Sequence, residues 1–398
     1  MQNLKLLTFL GHSIVFFFIF QSLWSPFLIR QDSVVNDVCA LISKITAVLL
    51  ILQCVTSYFN KSVKLNNLIA VFLIYGSLLV STIIEEGDIR RFFSMFYCPL
   101  GLAAYFTICS KNIKVASRFL GAVGPFMYLI TFIEFVFILA FPNGIFINGS
   151  KTGLYFLGGE NLLGFPLMVA LLLVYSDYYL NRKSKRYLYS FILMHILSIV
   201  MVFSGGNLSG TLLAYMIILF PVVRPIVSRV SLSKIILVFV AVFVVIIVFQ
   251  NLENLLSLPI VQYLIQDLLG KNLTLTNRTV IWIAVIEGIV AHPIFGNGIR
   301  ESVNLFFFHH SKYSAHNQLL QSLYEGGIML YLAAIPLVVM SSKAIRDLRK
   351  AGIVFKAVPV GIMTMYMSEA SGLLFLVMAL SFILAFAPIM HEVQKMRG

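Results

Sequence analysis

The sequence predicts an all-α polytopic membrane protein with about twelve transmembrane helices and a large, partly helical outer loop between spans 9 and 10. Three observations carry this expectation. First, 60% of the 398 residues are hydrophobic and 11% are charged, where soluble domains carry roughly 25% charged residues; mean hydropathy is +0.94. Second, the apolar residues run on without alternating, which excludes a β-barrel. Backbone groups in hydrocarbon must pair within their own segment, so such runs read as helices of about 20 residues each. Third, the basic residues are sorted by segment, as the positive-inside rule requires.

The runs cover 6–28, 38–58, 66–84, 92–109, 119–141, 162–180, 188–203, 208–223, 235–250, 316–341, 353–368 and 372–390. The first is too long for a signal-peptide core and has no small-residue cleavage site, so it reads as an uncleaved span. With the N-terminus inside, the inner turns collect clusters such as Lys111, Lys114 and Arg118, then Arg182, Lys183, Lys185 and Arg186, and later Lys343, Arg346, Arg349 and Lys350. Outer segments retain Arg30, Arg90, Arg91, Lys151, Lys271, Arg278, Arg300 and Lys312. Most of the acids fall outside, including Glu85, Glu86 and Asp88. The outer cations stand against the topological bias, so they are the first candidates for function. The net charge of +13 reflects this distribution, and no nucleic-acid partner is expected.

Three regions follow: 1–250 with spans 1–9, an extracytoplasmic loop at 251–315 with amphipathic helices, and 316–398 with spans 10–12 and a short cytoplasmic tail. Within the loop, Leu252, Leu255, Leu256, Ile260, Leu264 and Leu268 recur at helical spacing and predict a helix lying in the membrane interface. Thr276-Asn277 can cap a second helix from about Arg278 to Ala291. Pro293 ends it, and Gly296 and Gly298 allow a tight turn. Cys39, Cys54, Cys98 and Cys109 lie in or beside apolar runs without metal or disulfide spacing and read as small buried hydrophobes.

Several polar residues then stand out. Arg278 falls in the first turn of the second loop helix, where the helix N-terminus and a guanidinium both favour anions; a surface arginine bonded to a loop carbonyl or to Glu287 is the plainer reading. Arg300 follows the glycine turn and equally reads as a solvated partner of Glu301, and Lys312 as a solvated loop lysine. His316 sits where polar loop becomes apolar span, and histidine is the side chain suited to accept a proton near neutral pH; an interfacial histidine bonded to a loop is the alternative. Glu325 lies well inside the tenth span, where an acid is a functional hypothesis by default, although Gln321 or Tyr331 can satisfy it quietly. Glu369 lies at the outer end of the eleventh span beside Ser368 and Ser371, and Glu134 lies within the fifth. Two outer turns, Gly158-Gly159-Glu160-Asn161 and Ser204 to Gly210, are glycine-rich enough for close approach. His309-His310 has no acid or cysteine to complete a metal set. No zinc or magnesium site, Gly-rich nucleotide loop or cofactor is expected.

Thr276-Asn277-Arg278, then Trp282, then His292-Pro293-Ile294-Phe295-Gly296-Asn297-Gly298 resembles a signature of the O-antigen ligase and Wzy-type polysaccharide polymerase superfamily. His316-Asn317, followed by Gly327, resembles that superfamily's outer-loop histidine motif. The resemblance implies a GT-C-like fold in the cytoplasmic (inner) membrane with its active site on the extracytoplasmic face. It implies a metal-independent, inverting glycosyltransferase whose donor is an oligosaccharide linked through diphosphate to undecaprenol. His316 would be the general base and Arg278 the cation for the leaving diphosphate, both catalytic. Where many relatives carry a Ser-Arg-Gly-like turn between spans 7 and 8, this chain reads Ser204-Gly205-Gly206-Asn207-Leu208-Ser209-Gly210. A second diphosphate contact then falls to Arg300, Arg90, Arg91 or Lys151, and Asn317, Glu325 and Glu369 join them as substrate-binding candidates. The leading expectation is a polymerase of capsule, exopolysaccharide or O-antigen repeat units, working with a flippase and a chain-length regulator. An O-antigen ligase, which transfers to lipid A-core, uses the same donor. A peptidoglycan polymerase of the shape-and-division type fits the loop pattern poorly. A flippase or transporter for lipid-linked oligosaccharide is the reading from another class, and the absence of a visible internal repeat weighs against it.

Overall fold

A computed structural model describes residues 2–21, 33–146, 153–248, 278–300, 314–348 and 350–397. The interfacial helix expected over 251–269, the Thr276-Asn277 cap, Lys151, Glu301, His309-His310 and Lys312 lie outside these residues. The helices are α1 (Gln2–Gln21), α2 (Ser33–Phe59), α3 (Asn66–Ile84), α4 (Ile89–Cys109), α5 (Ile113–Ala140), α6 (Gly164–Asn181), α7 (Lys185–Val202), α8 (Gly205–Leu219), α9 (Val223–Arg229), α10 (Leu232–Val248), α11 (Arg278–Ala291), α12 (Gln318–Ala344), α13 (Lys350–Tyr366) and α14 (Leu374–Arg397). Each apolar run expected from the sequence overlaps one of them, with 22–28 and 249–250 lying outside the described residues. Among the described residues seven helices are long and apolar enough to cross a membrane, or eight if the bent pair α8 and α9 is one span. The molecule is thus an all-α, multi-pass membrane protein.

Polar residues mark several helix starts. Asp88, Asn112 and Ser184 accept from the backbone N–H of Arg91, Val115 and Tyr187, which satisfies donors that a helix leaves open at its N-terminus. One element was not expected: β1 (Leu154–Tyr155) and β2 (Gly158–Gly159) form a short antiparallel hairpin after α5. The hairpin is held to the bundle by Glu134, whose carboxylate accepts from the N–H of Leu157 at 2.7 Å.

In hydrocarbon, helices gain little from excluding water from one another, so close packing and small residues do the work. α8 and α13 meet at Gly210 and Gly361; a Cβ on Gly210 would lie 2.5 Å from the Gly361 carbonyl. α2 and α4 meet at Ala47 and Gly101 in the same way. Phe106 from α4, Phe119 from α5, and Phe382 and Phe386 from α14 build an aromatic centre, with Phe382 and Phe386 stacked at 4.4 Å. Cys54, Cys98 and Cys109 are buried, and all four cysteines are free thiols. α6 is buried along nearly its whole length. α3 and α12 lie against each other, and this contact positions the site.

Candidate active site

The site is built around a break in α12. Gly327 has φ 58° and ψ −161°, so the helix stops and restarts there. A break inside an apolar helix exposes carbonyls of the first half and N–H groups of the second, and each must find a partner. The segment His292–Gly298 supplies partners for four of them. The N–H groups of Asn297 and Gly298 donate to the carbonyls of Tyr324 and Glu325 at 2.6 and 3.0 Å. The N–H groups of Ile328 and Met329 donate to Pro293 and Ile294 at 3.0 and 3.1 Å. Gly296 and Gly298 adopt φ of 71° and 68° to make the turn. The motif is therefore a wedge that replaces the missing turn of α12.

The other side of the wedge is α3. The Ser81 hydroxyl donates to the carbonyls of Phe295 and Glu325, and Thr82 accepts from the N–H of Ile299 at 3.2 Å. His292 Nδ1 lies 2.9 Å from Glu85 Oε2. Arg300 donates through Nε to the Asn297 carbonyl at 2.9 Å and through Nη2 to the Glu85 carbonyl at 2.7 Å. Part of the Arg300 fork thus ties the end of the wedge to the end of α3, a role the sequence did not indicate.

His316 stands at the start of α12 with φ 45°, a left-handed conformation that is costly for a non-glycine residue. Its neighbours hold it there. The Trp282 indole N–H donates to the carbonyl of Ala315 at 2.8 Å, and the N–H of Ala315 donates to Gln321 Oε1 at 3.0 Å. Asn317 caps α12 by accepting from Leu319 and Leu320 at 2.9 and 3.1 Å, and its Nδ2 donates to the Met367 carbonyl at 3.1 Å. That last bond brings in the segment after α13. Nδ1 of His316 lies 3.8 Å from Oε2 of Glu369, whose side chain is 9% exposed against 36% for the imidazole. A half-exposed imidazole beside a buried carboxylate is a base–orienter pair in outline.

One glycine-rich turn lies against the Ser368–Glu369 segment, and the other turn is bonded to the first. A Cβ on Gly206, in the first turn of α8, would strike the Ser368 hydroxyl and come within 3.7 Å of Glu369. Asn207 donates to the carbonyl of Glu160 at 2.6 Å, and Ser204 donates to Asn161 at 3.0 Å. The Ser204–Gly210 and Gly158–Asn161 turns, far apart in sequence, are therefore joined at the same end of the bundle as His316.

Glu325, just before the break, accepts from Gln321 Nε2 at 2.7 Å. The Tyr331 hydroxyl goes elsewhere, to the Leu319 carbonyl. Arg91 is close enough to Glu325 to act on it electrostatically. Arg90 and Arg91 are exposed on the first turn of α4. The backbone of Arg278 opens α11, one turn before Trp282 on the same helical face; its side chain lies outside the description, as does all of Lys151. Among the described residues no three His, Cys, Asp or Glu side chains converge as a metal set.

Sequence reasoning singled out His316, Asn317, Glu369 and both glycine turns, and the fold brings them together. It missed Trp282 and Gln321 as supports of His316. Trp282 carried a signal, being one of only 2 tryptophans in the chain and lying within the recognised motif.

No curated protein matches the chain. Residues 196–335 match the family described as O-antigen ligase, and this stretch holds the Ser204–Gly210 turn, the wedge, Trp282, His316 and the broken helix. The match supports the likeness of this stretch to the O-antigen ligase/Wzy-type superfamily, whose members are glycosyltransferase-like ligases and polymerases.

Proposed function

We propose that the protein is a polysaccharide repeat-unit polymerase, transferring glycan from undecaprenyl diphosphate to a sugar hydroxyl by metal-independent inverting displacement. The helices cross the inner membrane about twelve times, and the His316 end of the bundle faces the extracytoplasmic side. His316 removes the proton from the acceptor hydroxyl while Glu369 orients the imidazole. The hydroxyl oxygen attacks the anomeric carbon, the bond to the diphosphate oxygen breaks, and the lipid diphosphate leaves with the electron pair. Arg278 stabilises that departing charge, with Arg90, Arg91, Arg300 and Lys151 as further cations for the diphosphate. Lipid diphosphate is a good leaving group, so positioning, one proton transfer and charge stabilisation are sufficient.

The observation that carries this reading is the Trp282–Ala315 bond, because it brings the helix that Arg278 opens to the residue preceding His316. A second feature supports it. An apolar groove of about 440 Å³ starts at Leu319 and Ser322, just past His316, and runs to Ser233 and Val339. Leu237, Leu332 and Ile335 along it are more than half exposed, as suits a groove open to lipid and a long prenyl chain. A side groove of this kind supports an enzyme over a transporter.

The test is turnover of a defined undecaprenyl-diphosphate oligosaccharide by purified protein in nanodiscs. Elongated glycan on lipid from the wild type, and none from His316→Ala at equal folded yield, is the expected result. Long polymer from His316→Ala overturns the base role. Transfer to lipid A-core in place of glycan assigns the protein as a ligase instead, the name its matched family carries.

A further inference from the structure

A second cavity, of about 310 Å³, lies between α3, α4, the start of α12 and the segment leading into α14. Its lining is two-sided. Glu325, Gln318, Ser94 and Ser371 present a carboxylate, an amide and two hydroxyls, while Tyr75 and Phe375 present aromatic rings. Among the described residues no Lys, Arg or His belongs to the lining, and Arg91 acts on Glu325 only from outside it. The lining therefore offers a diphosphate no donor cation, and a carboxylate is a poor neighbour for a prenyl chain. Ligand pockets start at about 300 Å³, so the space suits one small ring. Hydroxyls around the edge of a sugar ring match the carboxylate and the serine hydroxyls, and its C–H faces match the aromatic rings.

The cavity is also tied to the reacting groups. Gln318 follows His316 by two positions and Ser371 follows Glu369 by two. The N–H of Gly372 donates to Gln318 Oε1 at 2.6 Å, so the two chain segments that present the imidazole and its carboxylate also make the cavity wall. Glu325 is only partly buried, although it lies inside α12, because it faces this space.

We propose that this cavity is a saccharide subsite, in which Glu325, with the Ser94 hydroxyl at the rim, holds one neutral sugar ring through its hydroxyls, while the Gln318 amide, bonded to Ser322 and Gly372, fixes the wall. The proposal rests on the glycan-transfer reading above and names where the glycan sits. The ring belongs either to the donor repeat unit or to the acceptor end, and the two have the same chemistry.

The experiment uses full-length protein in nanodiscs and the turnover oligosaccharide prepared as its methyl glycoside, without lipid or diphosphate. Saturation-transfer NMR is expected to show binding to the wild type. Ser94→Trp, which fills the cavity from an exposed position, is expected to abolish the signal, and Glu325→Gln to weaken it about tenfold. In steady state Glu325→Gln is expected to raise one KM by about tenfold; a rise for the glycan acceptor assigns the ring to the acceptor, and a rise for the lipid donor assigns it to the donor. Binding unaffected by either variant, or a wild type that turns over while the methyl glycoside gives no signal, overturns the subsite and leaves the function standing. A wild type that binds the glycoside through Ser94 and Glu325 but transfers nothing keeps the subsite and overturns the function. Should Glu325→Gln fail to fold, Ser94→Trp decides.

Discussion

Trp282 donates its indole N–H to the carbonyl of Ala315 at 2.8 Å, across a chain separation that includes the whole His292–Gly298 wedge. The bond fixes the residue immediately before His316 from one side, while Gln321 fixes it from the other through the Ala315 N–H. Gln321 is itself oriented by Glu325. The left-handed backbone of His316 is thus imposed by a chain of hydrogen bonds, not by its own preference.

Trp282→Phe keeps the ring and removes the donor. The Ala315 carbonyl loses one bond, which costs about 1 kcal/mol of stability. The displaced imidazole matters more, because a misplacement of about 1 Å can cost roughly 100-fold in rate. The expected outcome is a melting temperature near the wild type's with kcat down roughly 10- to 100-fold, measured in the nanodisc turnover assay. A variant with wild-type kcat would show that the indole only fills space.

Glu369→Gln tests the orienting carboxylate. The amide is nearly isosteric, so the contacts with the first turn of α8 survive, but the imidazolium formed during transfer loses its counter-charge. At 3.8 Å the pair is longer than a hydrogen bond, so the loss is smaller than in a tightly bonded triad, roughly 10- to 100-fold in kcat. Equal kcat in Glu369→Gln and wild type would leave His316 without an orienting partner in the reaction.

The legible parts of this fold were those written locally. The end of α11 was readable because Pro293 and the glycines at 296 and 298 stop a helix and make a turn by their own backbone chemistry. What that turn does was not readable, because its partners are the broken backbone at Tyr324–Met329 and the end of α3. The pairing of His316 with Glu369 was hidden for the same reason: each residue was conspicuous as a polar group at a helix end, yet their segments are joined by long-range bonds, from Asn317 to Met367 and from Gly372 to Gln318. The β1–β2 hairpin left no periodic signal, since each strand has 2 residues. Arg300 was read by its charge, whereas the fold uses part of its donor fork to hold backbone carbonyls.

Gly327→Ala tests whether the break in α12 is obligatory. The conformation at φ 58° and ψ −161° is essentially closed to residues with a Cβ and costs about 1–3 kcal/mol. The added Cβ would also strike the Ile294 carbonyl and come within 2.6 Å of the Gly296 N–H nitrogen. Both effects displace the wedge, so folded yield in detergent and melting temperature are expected to fall together, with turnover lost. Gly76→Ala, within α3, is the control, because its added Cβ meets only the Phe72 ring at 3.8 Å. Equal stability of Gly327→Ala and Gly76→Ala would show that α12 can close into a regular helix.

Lys356 tests the opposite end of the bundle. It is 6% exposed, and its Nζ donates to the carbonyls of Val227, Ser228 and Val230 at 2.9, 2.9 and 2.7 Å. These are the open carbonyls at the C-terminus of α9, where a cation also opposes the helix dipole. One ammonium with three donors can satisfy all of them, which explains a lysine of α13 buried against the end of α9 without any ligand. Lys356→Met keeps the length of the stem and removes every donor. Bonds to a charged group contribute about 1.5–3 kcal/mol, and buried carbonyls left open add a further cost. Thermal unfolding in nanodiscs is expected to shift down by several degrees while the KM values of the surviving folded protein stay at wild type, since Lys356 touches none of the residues around His316. A rise in KM with unchanged melting temperature would assign the lysine to substrate and not to the end of α9.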